Sequence, residues 1–229
     1  MLIPCIDLQG GQAVQLVRGR KRALAVADVF GVLEKFRKYP WLHVIDLDGA
    51  MGKSSNDGLV RNLCARARND FGMKVRVGGG IRSISRAQEV ASWGANQIIV
   101  GSAAFHGGKV NVRFLQELTE NVSCEKIVIA LDTARGRITI HGWRKELTLQ
   151  AEKVMPQLES YCAGFLCTDV DREGTMTGAN VDWFRKLRNA TSHPIIGAGG
   201  IKTRREIAAL EKIGVDAAVG MAMYKNRLR

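Results

Sequence analysis

Residues 3–11, IPCIDLQGG, set the reading of the fold: an apolar run ends in Asp7 and then breaks at Gly10 and Gly11. An apolar run closed by a glycine pair reads as a buried parallel strand with its carboxylate at the carboxyl end, where α/β folds place their chemistry. The design returns at residues 126–136, KIVIALDTARG, where Asp132 stands 132 − 7 = 125 residues after Asp7. Two strand-end aspartates half a chain apart are the candidate acid and base.

Six further runs have the same character, so that strands are expected over residues 2–8, 42–48, 74–79, 97–103, 126–132, 164–170, 194–200 and 216–222. Amphipathic stretches lie between them, at 26–38, 57–69, 83–93, 111–121, 147–162, 180–190 and 203–213, and Thr203-x-x-Glu206 has the form of a capping box. Strict alternation implies a parallel sheet, and eight units in 229 residues point to one (β/α)8 barrel domain rather than a doubly wound open sheet.

The halves repeat. HVIDLDGAMG (43–52) matches LCTDVDREGTMTG (166–178) with Asp46 and Asp48 falling 123 residues before Asp169 and Asp171. RVGGGIRS (76–83) matches IGAGGIKT (196–203) at a spacing of 120, and IIVGSAAF (98–105) matches AAVGMAMY (217–224) at 119. Four strand-plus-loop units recurring in order are the mark of duplicated half-barrels, about 1–122 and 123–229.

Duplication makes the barrel mouth pseudo-two-fold. Gly79, Gly80, Gly101 and Ser102 in the first half, and Gly199, Gly200, Gly220 and Met221 in the second, follow strands three, four, seven and eight. Glycine there lets backbone N–H groups approach an anion at a helix start, so these residues are the candidate phosphate-binding groups. Two such sites imply a small-molecule substrate with a phosphate at each end, and Asp7 and Asp132 would face each other across its middle. Asp46 and Asp169 read as structural hydrogen-bonding residues. No histidine joins the four loop aspartates at ligand spacing, so no metal is expected.

Composition excludes other classes. Hydrophobic residues at 46% and 25 glycines fit a well-packed chain with many tight turns. The formal charge of +12 is dispersed, without a basic motif interleaved with aromatics, and reads as a solvated surface attracting phosphorylated metabolites, not nucleic acid. Five cysteines without a CxxC pair suit a reduced cytoplasmic protein. No leader precedes the first strand and no apolar run approaches the ~20 residues of a membrane span, so a soluble, unprocessed protein is expected.

These segments, with HGW (141–143) after strand five, resemble in order and over nearly the whole chain the histidine-biosynthesis barrel that isomerises phosphoribosylformimino-aminoimidazole carboxamide ribotide. The resemblance implies a cofactor-free Amadori rearrangement of an aminoaldose to an aminoketose. It makes Asp7 the base that removes the C2 proton and Asp132 the acid that helps to open the ribose ring. Arg82, Thr168 and Glu173 would contact substrate, and Trp143 would stack on a base-like ring. The sister cyclase of the pathway shares the barrel, but Gly142-Trp143 favours the isomerase. In a bifunctional relative that also isomerises phosphoribosyl-anthranilate, arginines commonly occupy the positions of Gln15 and His141. Glu173 replaces the usual aspartate, lengthening that carboxylate by one methylene. A weakly catalytic barrel that only binds phosphometabolites is the competing class. The short segment after strand eight leaves little for an eighth helix and suggests exposed apolar surface there, so that either a monomer or a homodimer is expected.

Overall fold

The eight apolar runs become eight parallel strands: β1 (Leu2–Gln9), β2 (Trp41–Asp46), β3 (Lys74–Gly78), β4 (Gln97–Val100), β5 (Ile127–Ala134), β6 (Gly164–Asp169), β7 (Ile195–Ala198) and β8 (Val215–Val219). In this computed structural model, which describes residues 1–228, each strand pairs in parallel with the next, and β8 returns to β1 with Leu2 opposite Ala217 and Pro4 opposite Val219. The sheet therefore closes, which decides for the barrel against the open sheet.

Helices α1 (Val29–Phe36), α2 (Asp57–Phe71), α3 (Ile84–Ser92), α4 (Val112–Asn121), α5 (Ala151–Leu158), α6 (Val181–Ala190), α7 (Arg204–Lys212) and α8 (Met221–Tyr224) ring the sheet. Several start at side-chain caps: Asp28, Ser83, Asn111 and Asn180 accept from the backbone N–H three residues on, and Thr203 with Glu206 completes the expected capping box.

Period-two alternation divides the core in two. Ile3, Val128, Ala130, Leu166 and Ala218 fill the barrel interior, while the opposite faces of the strands, with Ile6, Val44, Ile129, Phe165 and Val219 among them, pack on the helices. Because Ile3 and Cys5 point inward, Asp7 does too, and Val128 and Ala130 carry Asp132 inward in the same way. The strand register thus puts both carboxylates at the carboxyl-terminal mouth.

Several expected boundaries shift. The run expected to reach residue 48 leaves the strand at Asp46, whose carboxylate accepts from Gly49 N–H and starts the one-turn helix Leu47–Met51. The runs expected to end at 103 and 222 stop at Val100 and Val219, since Gly101 (φ −107°, ψ −98°) and Gly220 (φ −102°, ψ −91°) break them alike and open short helical turns. The expected helix at 147–162 keeps only Ala151–Leu158 and a following 3-10 turn. The stretch after β1 is no plain loop: Gln12–Val17 and Lys21–Val26 form an antiparallel hairpin on β1.

The expectation of exposed apolar surface near strand eight is overturned. Single-turn α8 covers that edge, Tyr224 meeting Phe36 edge-on at 5.7 Å, and among the described residues the one large exposed hydrophobic side chain is Val112, on α4. No helix among the described residues is long and apolar enough to cross a membrane.

Candidate active site

All the site residues expected from the sequence line one cavity of about 240 Å³ at the mouth: Asp7, Gly79, Gly80, Arg82, Gly101, Ser102, Asp132, Trp143, Thr168, Glu173, Gly199, Gly200, Gly220 and Met221. The glycines build its rim by close backbone approach. Gly79 (φ +101°) and Gly199 (φ +106°) lie against the carbonyls of Asp46 and Asp169, so that a Cβ at either would collide with backbone. Gly80 meets Gly49 and Gly200 meets Gly178 in the same way. The two halves repeat this geometry as well as their sequence.

The loop aspartates hold the rim. Asp46 accepts from Asn56 N–H (2.9 Å) and Asn56 Nδ2 (2.7 Å), and Asp48 accepts from Gly10 N–H (2.6 Å). In the second half Asn180 Nδ2 donates to Asp169 at 3.4 Å. The bridging asparagines were not singled out in the sequence; their spacing of ten or eleven residues after the aspartate, in both halves, was the available signal. Among the described residues no group of three or more His, Cys, Asp or Glu is arranged to hold a metal ion.

Two excursions close over the carboxylates. Beyond β5 the chain turns into a second hairpin, Arg137–Ile140 with Lys145–Glu146, whose tip carries three successive left-handed residues, His141, Gly142 and Trp143 (φ +58°, +65° and +64°). That turn directs the indole inward, where Trp143 Nε1 donates to Asp132 Oδ2 at 2.8 Å. The tip is held by His141 N–H donating to Ser102 Oγ (2.7 Å) and by Arg144 Nη2 donating to Met51 O (3.1 Å). Gly19, at the tip of the first hairpin, lies so close to the Trp143 ring that a Cβ there would collide with it. Arg18 N–H donates to Glu173 O at 2.9 Å, joining that hairpin to the loop after β6. Arg82 donates to Gly49 O (3.2 Å) and Ala50 O (2.5 Å), so its guanidinium braces the rim.

The cavity holds three carboxylates of one sign. Burial raises Asp7 to about 7, and burial with the nearby charges of Asp7 and Asp132 raises Glu173 to about 8. Burial raises Asp132 too, opposed by hydrogen bonds from Thr168 and Trp143 that favour its ionised form. Near neutral pH a proton rests on Glu173 and in part on Asp7, and the cluster titrates as a unit.

These shifts fix the sign of a stability prediction. The folded chain keeps protons that the unfolded chain has already released above pH 5, so the native state binds more protons and stability falls as pH rises. Buried His43, held well below its ordinary value, contributes in the opposite sense only below about pH 6.5. Between pH 6.5 and 8.5 the unfolding free energy should therefore drop by about 1–3 kcal/mol, and Glu173→Gln should reduce the slope. Urea unfolding at the two pH values checks this; a midpoint that rises with pH contradicts it.

The chain matches, over residues 1–229, the family described as histidine biosynthesis protein. It is 34% identical to a 1-(5-phosphoribosyl)-5-((5-phosphoribosylamino)methylideneamino) imidazole-4-carboxamide isomerase of Methanocaldococcus jannaschii, across 99% of this chain and 94% of that protein. Isomerases of the same name from Thermococcus onnurineus and Streptococcus sanguinis are 33% and 32% identical over the same shares. With its closed barrel, repeated glycine rim and full-length match, the chain belongs to the histidine biosynthesis protein family.

Proposed function

We propose that this protein is a cofactor-independent aldose–ketose isomerase that converts the phosphoribosylformimino-aminoimidazole carboxamide ribotide to its phosphoribulosyl form. The observation that carries the reading is the pair Asp7 and Asp132, both with raised pKa, in a cavity flanked by two matching glycine rims. The names of the relatives agree with it.

In this reading the rims at Gly79, Gly80, Gly101 and Ser102 and at Gly199, Gly200, Gly220 and Met221 hold the two phosphates and stretch the substrate across the mouth. Asp132 gives a proton to the ribose ring oxygen, the C1–O bond breaks, and C1 and the nitrogen form an iminium. Asp7 removes the C2 proton, and the electron pair neutralises the iminium to give an enaminol. Transfer of the O2 proton to solvent or carboxylate and protonation at C1 yield the ketose. C2 is oxidised and C1 reduced within one molecule, so the balance needs no external oxidant. The Trp143 bond to Oδ2 favours ionised Asp132 but leaves Oδ1 free to carry the proton that opens the ring, and an indole that swings out of that bond is free to stack on the ligand. Glu173 is the proton reservoir for both aspartates, and Thr168 with Arg82 completes the contacts. We read residues 1–122 and 123–229 as copies of one ancestral half-barrel.

Steady-state assays with the aminoimidazole ribotide and with phosphoribosyl-anthranilate test this. Turnover of the first alone is expected, because neither Gln15 nor His141 offers the anthranilate carboxylate the bidentate guanidinium of an arginine. Turnover of both would extend the function to a second substrate. Activity on neither, with bisphosphate still bound, would replace the reading with a binding barrel.

A further inference from the structure

The tip of the second hairpin is held against its own backbone preference. His141, Gly142 and Trp143 are left-handed in succession, and of the three only glycine takes that conformation without strain, so the tip keeps its shape through what it touches. Arg144 ties it to the lip of the mouth, its Nη2 donating to Met51 O at 3.1 Å and its Nε to His141 O at 3.2 Å. The second anchor lies inside the mouth. His141 N–H donates at 2.7 Å to the hydroxyl of Ser102, which lines the cavity and opens the 3-10 turn after Gly101. From that seat Trp143, two residues on, reaches Asp132 Oδ2 at 2.8 Å.

A hydroxyl donates once and accepts twice. Ser102 Oγ takes the His141 N–H, the one side-chain hydrogen bond that Ser102 makes among the described residues, and its own proton is left for a group in the cavity. An anion at the Gly101–Ser102 turn is within the natural reach of that proton. A hydroxyl that donates to an anion becomes the better acceptor, so a phosphate there strengthens the bond from His141 N–H. The other half has no such link, since Met221 stands at the position of Ser102, at the repeat spacing of 119, without a hydroxyl.

We propose that Ser102 couples the phosphate end to the acid: a phosphate at the Gly101–Ser102 turn accepts from the Ser102 hydroxyl, tightens His141 N–H onto the same oxygen and so seats Trp143 over Asp132. Trp143 is then fixed in place when a phosphorylated ligand fills this end, and Ser102 is a positioning residue as well as a phosphate contact. The inference rests on the bisphosphate isomerase reading above.

The test follows the emission of Trp143 while inorganic phosphate is titrated, with binding followed by ³¹P NMR. Trp143→Phe, which keeps Trp41, Trp93 and Trp183, supplies the blank. In the unaltered protein Trp143 emission should change as phosphate binds. Ser102→Ala should bind phosphate about tenfold more weakly at that end through the remaining backbone N–H groups, and at saturation Trp143 should not respond. In the isomerase assay Ser102→Ala should lose about tenfold in kcat, read at saturating substrate, besides raising KM, because Trp143 is no longer seated in the complex. Ser102→Thr, which keeps the hydroxyl, should restore both readouts. A Trp143 response in Ser102→Ala equal to that of the unaltered protein, or a raised KM with kcat unchanged, would overturn the coupling and leave Ser102 a phosphate contact. Phosphate bound to the unaltered protein without any change in Trp143 emission would overturn it as well. Absence of phosphate binding to the unaltered protein would overturn the two-phosphate reading and this inference with it.

Discussion

Asp7→Asn should lower kcat on the aminoimidazole ribotide by about 10³- to 10⁴-fold, at the upper end of what placed proton transfer supplies, while the barrel remains folded. The amide has nearly the shape of the carboxyl group and cannot take the C2 proton. It also removes an ionisation that burial opposes. A rise from 3.8 to about 7 corresponds to about 4 kcal/mol, which water in the cavity reduces to about 2, so the variant should be more stable than its parent above pH 8. Lost activity with gained stability separates a catalytic aspartate from a structural one. Asp132→Asn should be equally inactive, and its amide oxygen can still accept from Trp143 Nε1, which keeps the second hairpin seated. Measured kcat with urea midpoints at pH 8.5 checks both; near-parental turnover of either variant would remove that residue from the mechanism.

The largest loss of stability should come from Gly79→Ala or Gly199→Ala, at about 3–5 kcal/mol each or failure to accumulate as folded protein. Both backbones lie in the left-handed half of conformational space, and a Cβ at either position would collide with the carbonyl of Asp46 or Asp169. Those carbonyls belong to residues that also anchor the rim, so neither can retreat without disturbing Asn56 or Asn180. Gly10→Ala and Gly107→Ala are the controls: both are left-handed, at φ +59° and +58°, with nothing within 4 Å of the new methyl, and each should cost about 1 kcal/mol. Guanidinium unfolding of the four variants measures the contrast. A loss below 1 kcal/mol at Gly79 would mean that the rim is far softer than its geometry requires.

The barrel was legible because its signals are local and repeated. Each buried strand is a short apolar run stopped by glycine or aspartate, and the spacings of 119 to 125 residues fixed four strands from the other four. The gathering of the candidate residues followed, since all but Trp143, which rides the second hairpin, stand at or just beyond the carboxyl ends of strands that one closed sheet brings together. Tertiary pairing hid the rest. In residues 12–26 the alternation of a hairpin is masked by Arg18, Arg20, Lys21 and Arg22, and the pairing of Val14 with Asp7 exists only once β1 runs past the barrel rim. The strand ends at Val100 and Val219 were overestimated because apolar residues continue beyond Gly101 and Gly220, whose backbone angles no composition reveals. Glu173 was visible as a lengthened carboxylate, but its raised pKa arises from the company of Asp7 and Asp132, half a chain apart in sequence.

The central claim is that Asp7, with its pKa lifted into the neutral range, is the base. The dependence of kcat/KM on pH between 5.5 and 9 tests it most directly, with Asp7→Asn measured in parallel. If Asp7 must be ionised, kcat/KM rises about tenfold per pH unit on the acid side and levels with an apparent pKa near 7, and the residual activity of Asp7→Asn lacks that limb. A profile that is flat across the range, or an acid limb that survives in Asp7→Asn, would contradict the assignment.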